Sequence, residues 1–154
     1  QELRGLMADL TPPWLYVVGF GAALERFADK QHERHGVDIT VDVEDREQPL
    51  PEAVRGLLFQ AARELVMNAI KHAGPCNIHI TAADDDDDSA FVLSVSDTGA
   101  GFDPDAVDLF HRDDDGGFGL FNLRERLRGL GGRLVIDSQP GRGTTVTLHV
   151  PVGD

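Results

Sequence analysis

Residues 51–82 read PEAVRGLLFQAARELVMNAIKHAGPCNIHITA, and the meaning of this stretch decides the fold. Val54, Leu57, Leu58, Ala61, Leu65 and Ala69 recur at helical spacing, which predicts one long helix over about 51–73. Pro51 suits a first helical turn, and Gly74-Pro75 ends the pattern. Two strands are expected next, over 77–82 and 90–96, with the carboxylate run Asp84 to Asp88 as an exposed hairpin turn between them. Upstream, a helix over about 18–35 carries Ala22, Ala23, Leu24 and Phe27 on its buried side and meets Gly36 as a C-terminal cap. Val37, Ile39, Val41 and Val43 then alternate with Asp38, Thr40 and Asp42, as in a half-buried strand. Downstream, periodicity disappears from Asp97 to about Gly119. It returns as a helix over 120–130 closed by Gly131-Gly132, a strand over 133–138, a turn at 140–143 and a last strand over 144–150. Local hairpins around long helices, without repeated strand-helix crossovers, predict an α+β fold. The expected architecture is a two-layer α/β sandwich whose mixed, mostly antiparallel sheet is covered on one face by about three helices.

Composition narrows the function. The 154 residues carry a formal net charge of −13, which opposes binding to a nucleic-acid backbone. A nucleotide is still admissible, because local N–H groups and a cation can override the overall field. The single cysteine, Cys76, excludes an internal disulfide framework and fits a reducing, cytoplasmic setting. No apolar run approaches a membrane span. The chain opens in mid-pattern, so it reads as a piece of a longer protein whose remainder can carry a membrane anchor.

Four elements carry chemistry. On the long helix, Glu64, Asn68 and Lys71 with His72 fall on one face beside an apolar row. An amide oxygen such as Asn68 suits Mg²⁺, Lys71 suits a phosphate oxygen, and Glu64 can polarise a nucleophile. A polar helix flank explains the same row. Asp97-Thr98-Gly99-Ala100-Gly101-Phe102 follows an apolar strand: a carboxylate at a strand end needs donors, such as an adenine amino group, and the glycines let backbone approach a flat ring. A turn with Asp97 as its own acceptor is the alternative. Gly117-Phe118-Gly119-Leu120 stands before a helix, where free N–H groups make an anion site or a simple flexible joint. Gly141 to Thr145 enters the final strand. A hairpin turn explains its glycines, and Thr145 can also donate to a carboxylate or ring nitrogen. P-loop and Rossmann signatures are absent from the sequence.

In this order the four elements resemble the ATP-binding domain of bacterial sensor histidine kinases, in the GHKL family that also holds gyrase, Hsp90 and MutL ATPases and shares the Bergerat fold. Glu64 to Ala73 is similar to the N box, Asp97 to Gly101 to the G1 box, Gly117 to Leu120 to the G2 box, and Gly143-Thr144-Thr145 to the closing threonine motif. The resemblance covers about residues 50 to 151. It implies that Asn68 ligates Mg²⁺, that Glu64 orients the attacking histidine or acts as base, and that Lys71 and His72 touch phosphates. It further implies that Asp97 accepts from adenine, that Gly101 lines the base with Gly99 and Phe102 also among the nucleotide-binding residues, that Gly117, Gly119 and Leu120 present N–H groups to phosphates, and that Thr145 supports Asp97 or a water beside it. Residues from about 103 to 117 would form an ATP lid, in which Asp113, Asp114 and Asp115 oppose the phosphates unless Mg²⁺ or Arg112 compensates.

The same resemblance gives residues 1–13 as the end of a dimerisation and phosphotransfer helix and 14–154 as the ATP-binding domain, with Trp14 and Val17 on a patch covered by the missing helices. The phosphoacceptor histidine belongs upstream of such a pattern, so the chain alone is expected to be monomeric and its parent a homodimer. Asn68-x-x-Lys71-His72-Ala73 with Leu123-Arg124-Glu125-Arg126 is similar to a subfamily whose response regulator carries a helix-turn-helix output. Two other functions share the fold: an inactive nucleotide-binding regulatory module, disfavoured by the presence of both Glu64 and Asn68, and an anti-sigma-type serine kinase, disfavoured by the stretch before Pro12.

Overall fold

The computed structural model describes residues 19–44, 50–72, 77–85, 89–101, 103 and 119–152. The segment before residue 19, the stop at Gly74-Pro75, Phe102 and the span 104–118 lie outside the described residues.

Three helices and five strands follow in the order α1 (Phe20–His35), β1 (Asp38–Val43), α2 (Glu52–His72), β2 (Asn77–Asp85), β3 (Ala90–Asp97), α3 (Gly119–Gly129), β4 (Arg133–Ser138) and β5 (Thr144–Pro151). The sheet order is β1-β2-β3-β5-β4. β1 and β2 are parallel and every other neighbouring pair is antiparallel. The parallel pair exists because α2 serves as the crossover between its strands. The sandwich expected from the sequence is therefore the fold.

Alternation sorts the sheet into two faces. Ile78, Ile80, Phe91, Leu93, Val95, Val146, Leu148 and Val150 point to the helices and are buried. Their neighbours Ser94, Ser96, Thr145 and Thr147 stand on the other face, where Ser94 pairs with Thr147 at 3.2 Å and Thr145 donates to Ser96 at 3.3 Å. α2 lies between α1 and α3, which explains why Phe59, Ala62 and Val66 are buried in addition to the expected row. Edge-to-face ring pairs join Phe20 to Phe91 and Phe27 to Phe59, at 6.1 and 6.0 Å.

Two expectations change. Ala22 is exposed, because the buried set Phe20, Ala23, Leu24, Phe27, Ala28 and Gln31 repeats three and four residues apart and Ala22 is out of phase. Asp84 and Asp85 are not in a turn: they continue β2, opposite Phe91 and Ala90. The β1 register ends at Val43 opposite Ala82, and the Glu44 N–H still donates to Ala82 O, while the half-buried Asp84 and Asp85 carry β2 on along β3 alone among the described residues. Asp86 to Asp88 lie outside the described residues.

Candidate nucleotide site

The register defines two ends of the sheet. At one end β2 begins, β3 finishes, β5 begins and β4 finishes: Ile78 pairs with Asp97, Asp97 with Thr144, and Thr144 with Ser138. At the other end Ala90 pairs with Pro151 and Arg133 with His149.

Both functional helices point at the first end. Only five residue steps separate His72 from Asn77, so the C-terminal turn of α2 cannot lie more than about 17 Å from the start of β2. α3 leads into β4 through a tight cap in which the N–H of Gly131 donates to Arg128 O and that of Gly132 to Leu127 O. The cap lies at the far end, beside the His149 carbonyl, so α3 begins at the end that holds Asp97. Arg126 donates to Gln60, which sets the two antiparallel helices level with one another. Eight residues from Gln60 to Asn68 rise about 12 Å, and seven from Arg126 back to Gly119 about 10 Å, so Asn68 and Gly119 end at similar heights.

Glu64 and Asn68 are half-buried on α2, with Gln60 one turn below Glu64 on the same stripe. Lys71 is exposed, and His72 is the last residue of α2. Gly119 and Leu120 open α3, whose first-turn N–H groups have no acceptor within the helix itself, and Leu120 is half-buried against the core. Asp97 shares the helix-facing parity of Leu93 and Val95, and its Oδ1 accepts from the Gly99 N–H at 2.9 Å. The turn-acceptor geometry considered for Asp97 is thus present, and it engages one of the two carboxylate oxygens. Thr98 is locked to β2: its N–H donates to Asn77 O at 3.1 Å and its Oγ1 accepts from the Asn77 N–H at 3.0 Å.

Gly101 has a φ of 67°, and a Cβ there would stand 2.1 Å from the carbonyl oxygen of Gln139. Its missing side chain therefore makes room for protein backbone. The Thr145 hydroxyl is on the open face with Ser96, whereas Thr144 stands across from Asp97 on the helix side, its Oγ1 2.8 Å from Ser138 Oγ. Motif spacing did not single out Thr144. Its shared parity with Val146, Leu148 and Val150 was the available signal. Phe102 and Gly117 lie outside the described residues, as do Arg112 and Asp113 to Asp115. Among the described residues no group of three or more His, Cys, Asp or Glu side chains could hold a metal, and no helix is long and apolar enough to cross a membrane.

A carboxylate at a strand terminus, an amide-bearing helix and the first turn of a second helix at one end of a sandwich are suited to a purine and its phosphates. Residues 53–154 match the profile of the histidine kinase-, DNA gyrase B- and HSP90-like ATPases, and the chain belongs to that family. A sensor-like histidine kinase of Chloroflexus aurantiacus is 37% identical over 153 residues, a match covering 98% of this chain and 25% of the relative. The histidine kinase domain of the Erythrobacter litoralis EL346 blue-light activated kinase superposes with a TM-score of 0.69 at 22% identity, covering 86% of this chain and 60% of that one. Full-length ShkA in complex with AMPPNP gives 0.65 at 26% identity, over 87% of this chain and 30% of that one. Similar relatives include the oxygen sensor histidine kinase NreB of Staphylococcus carnosus; the chain spans from 25% to 42% of the length of such curated relatives.

Proposed function

We propose that the chain is the ATP-binding catalytic domain of a two-component sensor histidine kinase, which takes ATP·Mg²⁺ and passes the γ-phosphoryl group to a histidine on a dimerisation helix. The observation that carries this reading is the meeting of α2, Asp97 and the start of α3 at one end of the sheet in a chain of this ATPase family. In this reading Asp97 Oδ1 stays with Gly99 and the second oxygen accepts from the adenine 6-amino group, where guanine carries a carbonyl oxygen that cannot donate. Asn68 offers its amide oxygen to the Mg²⁺ that enters with the phosphates. A single hard donor fits a cation that retains water and nucleotide ligands. Lys71 and His72 meet phosphate oxygens, and the N–H groups at Gly119 and Leu120 take up developing charge. Gly99 and Gly101 border the base.

Transfer is then positioning and charge neutralisation: the histidine nitrogen bonds to phosphorus as the bond to the β-phosphate oxygen breaks, with ADP leaving. Glu64, on the stripe that leads to Asn68, orients that imidazole or takes its proton. The remaining parts of the reading are a homodimeric parent in the cytoplasm, with or without a membrane anchor, and a response regulator that receives the phosphoryl group. Titration calorimetry with ATP, with and without Mg²⁺, tests it. Saturable, Mg²⁺-strengthened binding is expected, and an absence of binding heat under both conditions overturns the assignment.

A further inference from the structure

We propose that the turn between β4 and β5, acting through Gly143, sets the position of the Asp97 carboxylate and so enforces adenine selectivity; the selectivity part rests on the nucleotide reading above. The sequence explains the glycines of residues 141–143 as those of a hairpin, but the structure presses this turn against the loop that follows β3. A Cβ on Gly143 would stand 2.1 Å from the Asp97 carbonyl oxygen, 3.0 Å from its carbon and 3.2 Å from Thr98 Cα. Gly143 is buried with φ at 76°, and its own carbonyl accepts from the buried Ser138 Oγ at 3.0 Å. Two further contacts close the clamp: the Gly141 N–H donates to Ala100 O at 2.6 Å, and Gly101 faces the Gln139 carbonyl.

Asp97 is thus held from two sides. Its side chain is tied forward to Gly99, and its backbone rests on a residue with no Cβ to displace it. Adding one methyl at residue 143 forces the Asp97 carbonyl to retreat by more than about 1 Å to reach ordinary contact distance, and a tied carboxylate moves with it. Displacements of this size at a binding group lower function by about 10². Gly143 is therefore a positioning residue for Asp97, with Ser138 holding it in place.

Gly131, at the other end of β4 and outside the clamp, supplies the control. Its φ of 77° strains any side chain, yet a Cβ there meets only Pro151 Cγ at an ordinary 3.6 Å. Gly131→Ala carries the conformational cost alone, whereas Gly143→Ala adds the collision. ATP and GTP affinities are measured by calorimetry on the full chain, and Gly99 amide exchange by NMR without nucleotide. For Gly143→Ala, ATP affinity should fall at least ~10-fold with the ATP:GTP ratio moving toward one, and the Gly99 amide should exchange faster. For Gly131→Ala, the unfolding midpoint should drop while affinity, ratio and Gly99 exchange stay at parental values. If Gly143→Ala does not fold, Ser138→Ala, which adds no atoms, should show the same two changes at smaller size. The proposal is overturned if Gly143→Ala matches Gly131→Ala in both readouts, or if Ser138→Ala leaves both unchanged where Gly143→Ala is unfolded. A parent chain that binds no ATP removes the nucleotide reading instead, and Gly99 exchange still decides whether the turn positions Asp97.

Discussion

The two ends of β4 are closed by glycine corners that look alike in sequence and differ in what they touch. At the far end Gly131 and Gly132 cap α3, and a Cβ on Gly132 would meet the His149 carbonyl oxygen at 2.4 Å and Leu127 at 3.0 Å. At the near end Gly143 meets the backbone of Asp97. Both corners use a missing side chain to bring backbones together. One joins a helix to the core. The other joins a turn to a carboxylate that accepts from Gly99 through one of its two oxygens. A glycine pair alone does not reveal which role it serves; the neighbour across the gap does.

Substitutions can break or sharpen that contrast. The largest effect is expected at the near end for Asn68→Ala: Mg²⁺-dependent ATP binding should disappear in calorimetry, while thermal unfolding shifts by less than about 0.5 kcal/mol because the amide is not part of the apolar core. Parental ATP affinity in this variant would remove Asn68 as a metal donor. Leu127→Ala, fully buried beneath the far corner, should lower stability by about 2–5 kcal/mol in denaturant unfolding. Its folded fraction should keep the parental ATP:GTP ratio, and a changed ratio would tie the far end to the site. Gly132→Ala should cost about 1–3 kcal/mol by overpacking, again with the ratio unchanged. Asp97→Asn should leave stability nearly intact, since the amide oxygen still accepts from Gly99, but should reduce ATP-over-GTP preference by about 10- to 100-fold, equivalent to about 1–3 kcal/mol. Equal ATP and GTP affinities in the parent would contradict the role of Asp97.

Much of the fold was legible. The row Val54, Leu57, Leu58, Ala61, Leu65 and Ala69 is buried as its period demands, and Gly36 takes the left-handed cap conformation with φ at 68°. Alternation marked β1 and β5. Repulsion within the aspartate run points to a turn from Asp84 onward, whereas in the structure pairing with β3 outweighs it for Asp84 and Asp85, whose side chains the pleat sends to opposite faces of the sheet. The site was legible as a set of residue types but not as contacts. Proximity to a flat ring and proximity to the Gln139 carbonyl require the same glycine at residue 101, and sequence cannot separate them. The choice of Thr145 followed motif order. The pleat puts that hydroxyl on the open face and leaves Thr144 beside Asp97.

The adjacent identical residues Thr144 and Thr145 have a consequence for how accurately the site is assembled. Sliding β5 so that Thr145 takes the place of Thr144 would still set a threonine across from Asp97, so that pairing alone could not detect the mistake. The same slide would expel Val146, Leu148 and Val150 into water and draw Thr147 and His149 inward. Fidelity at this end of the chain is therefore proofread by three aliphatic side chains that take no part in ligand chemistry.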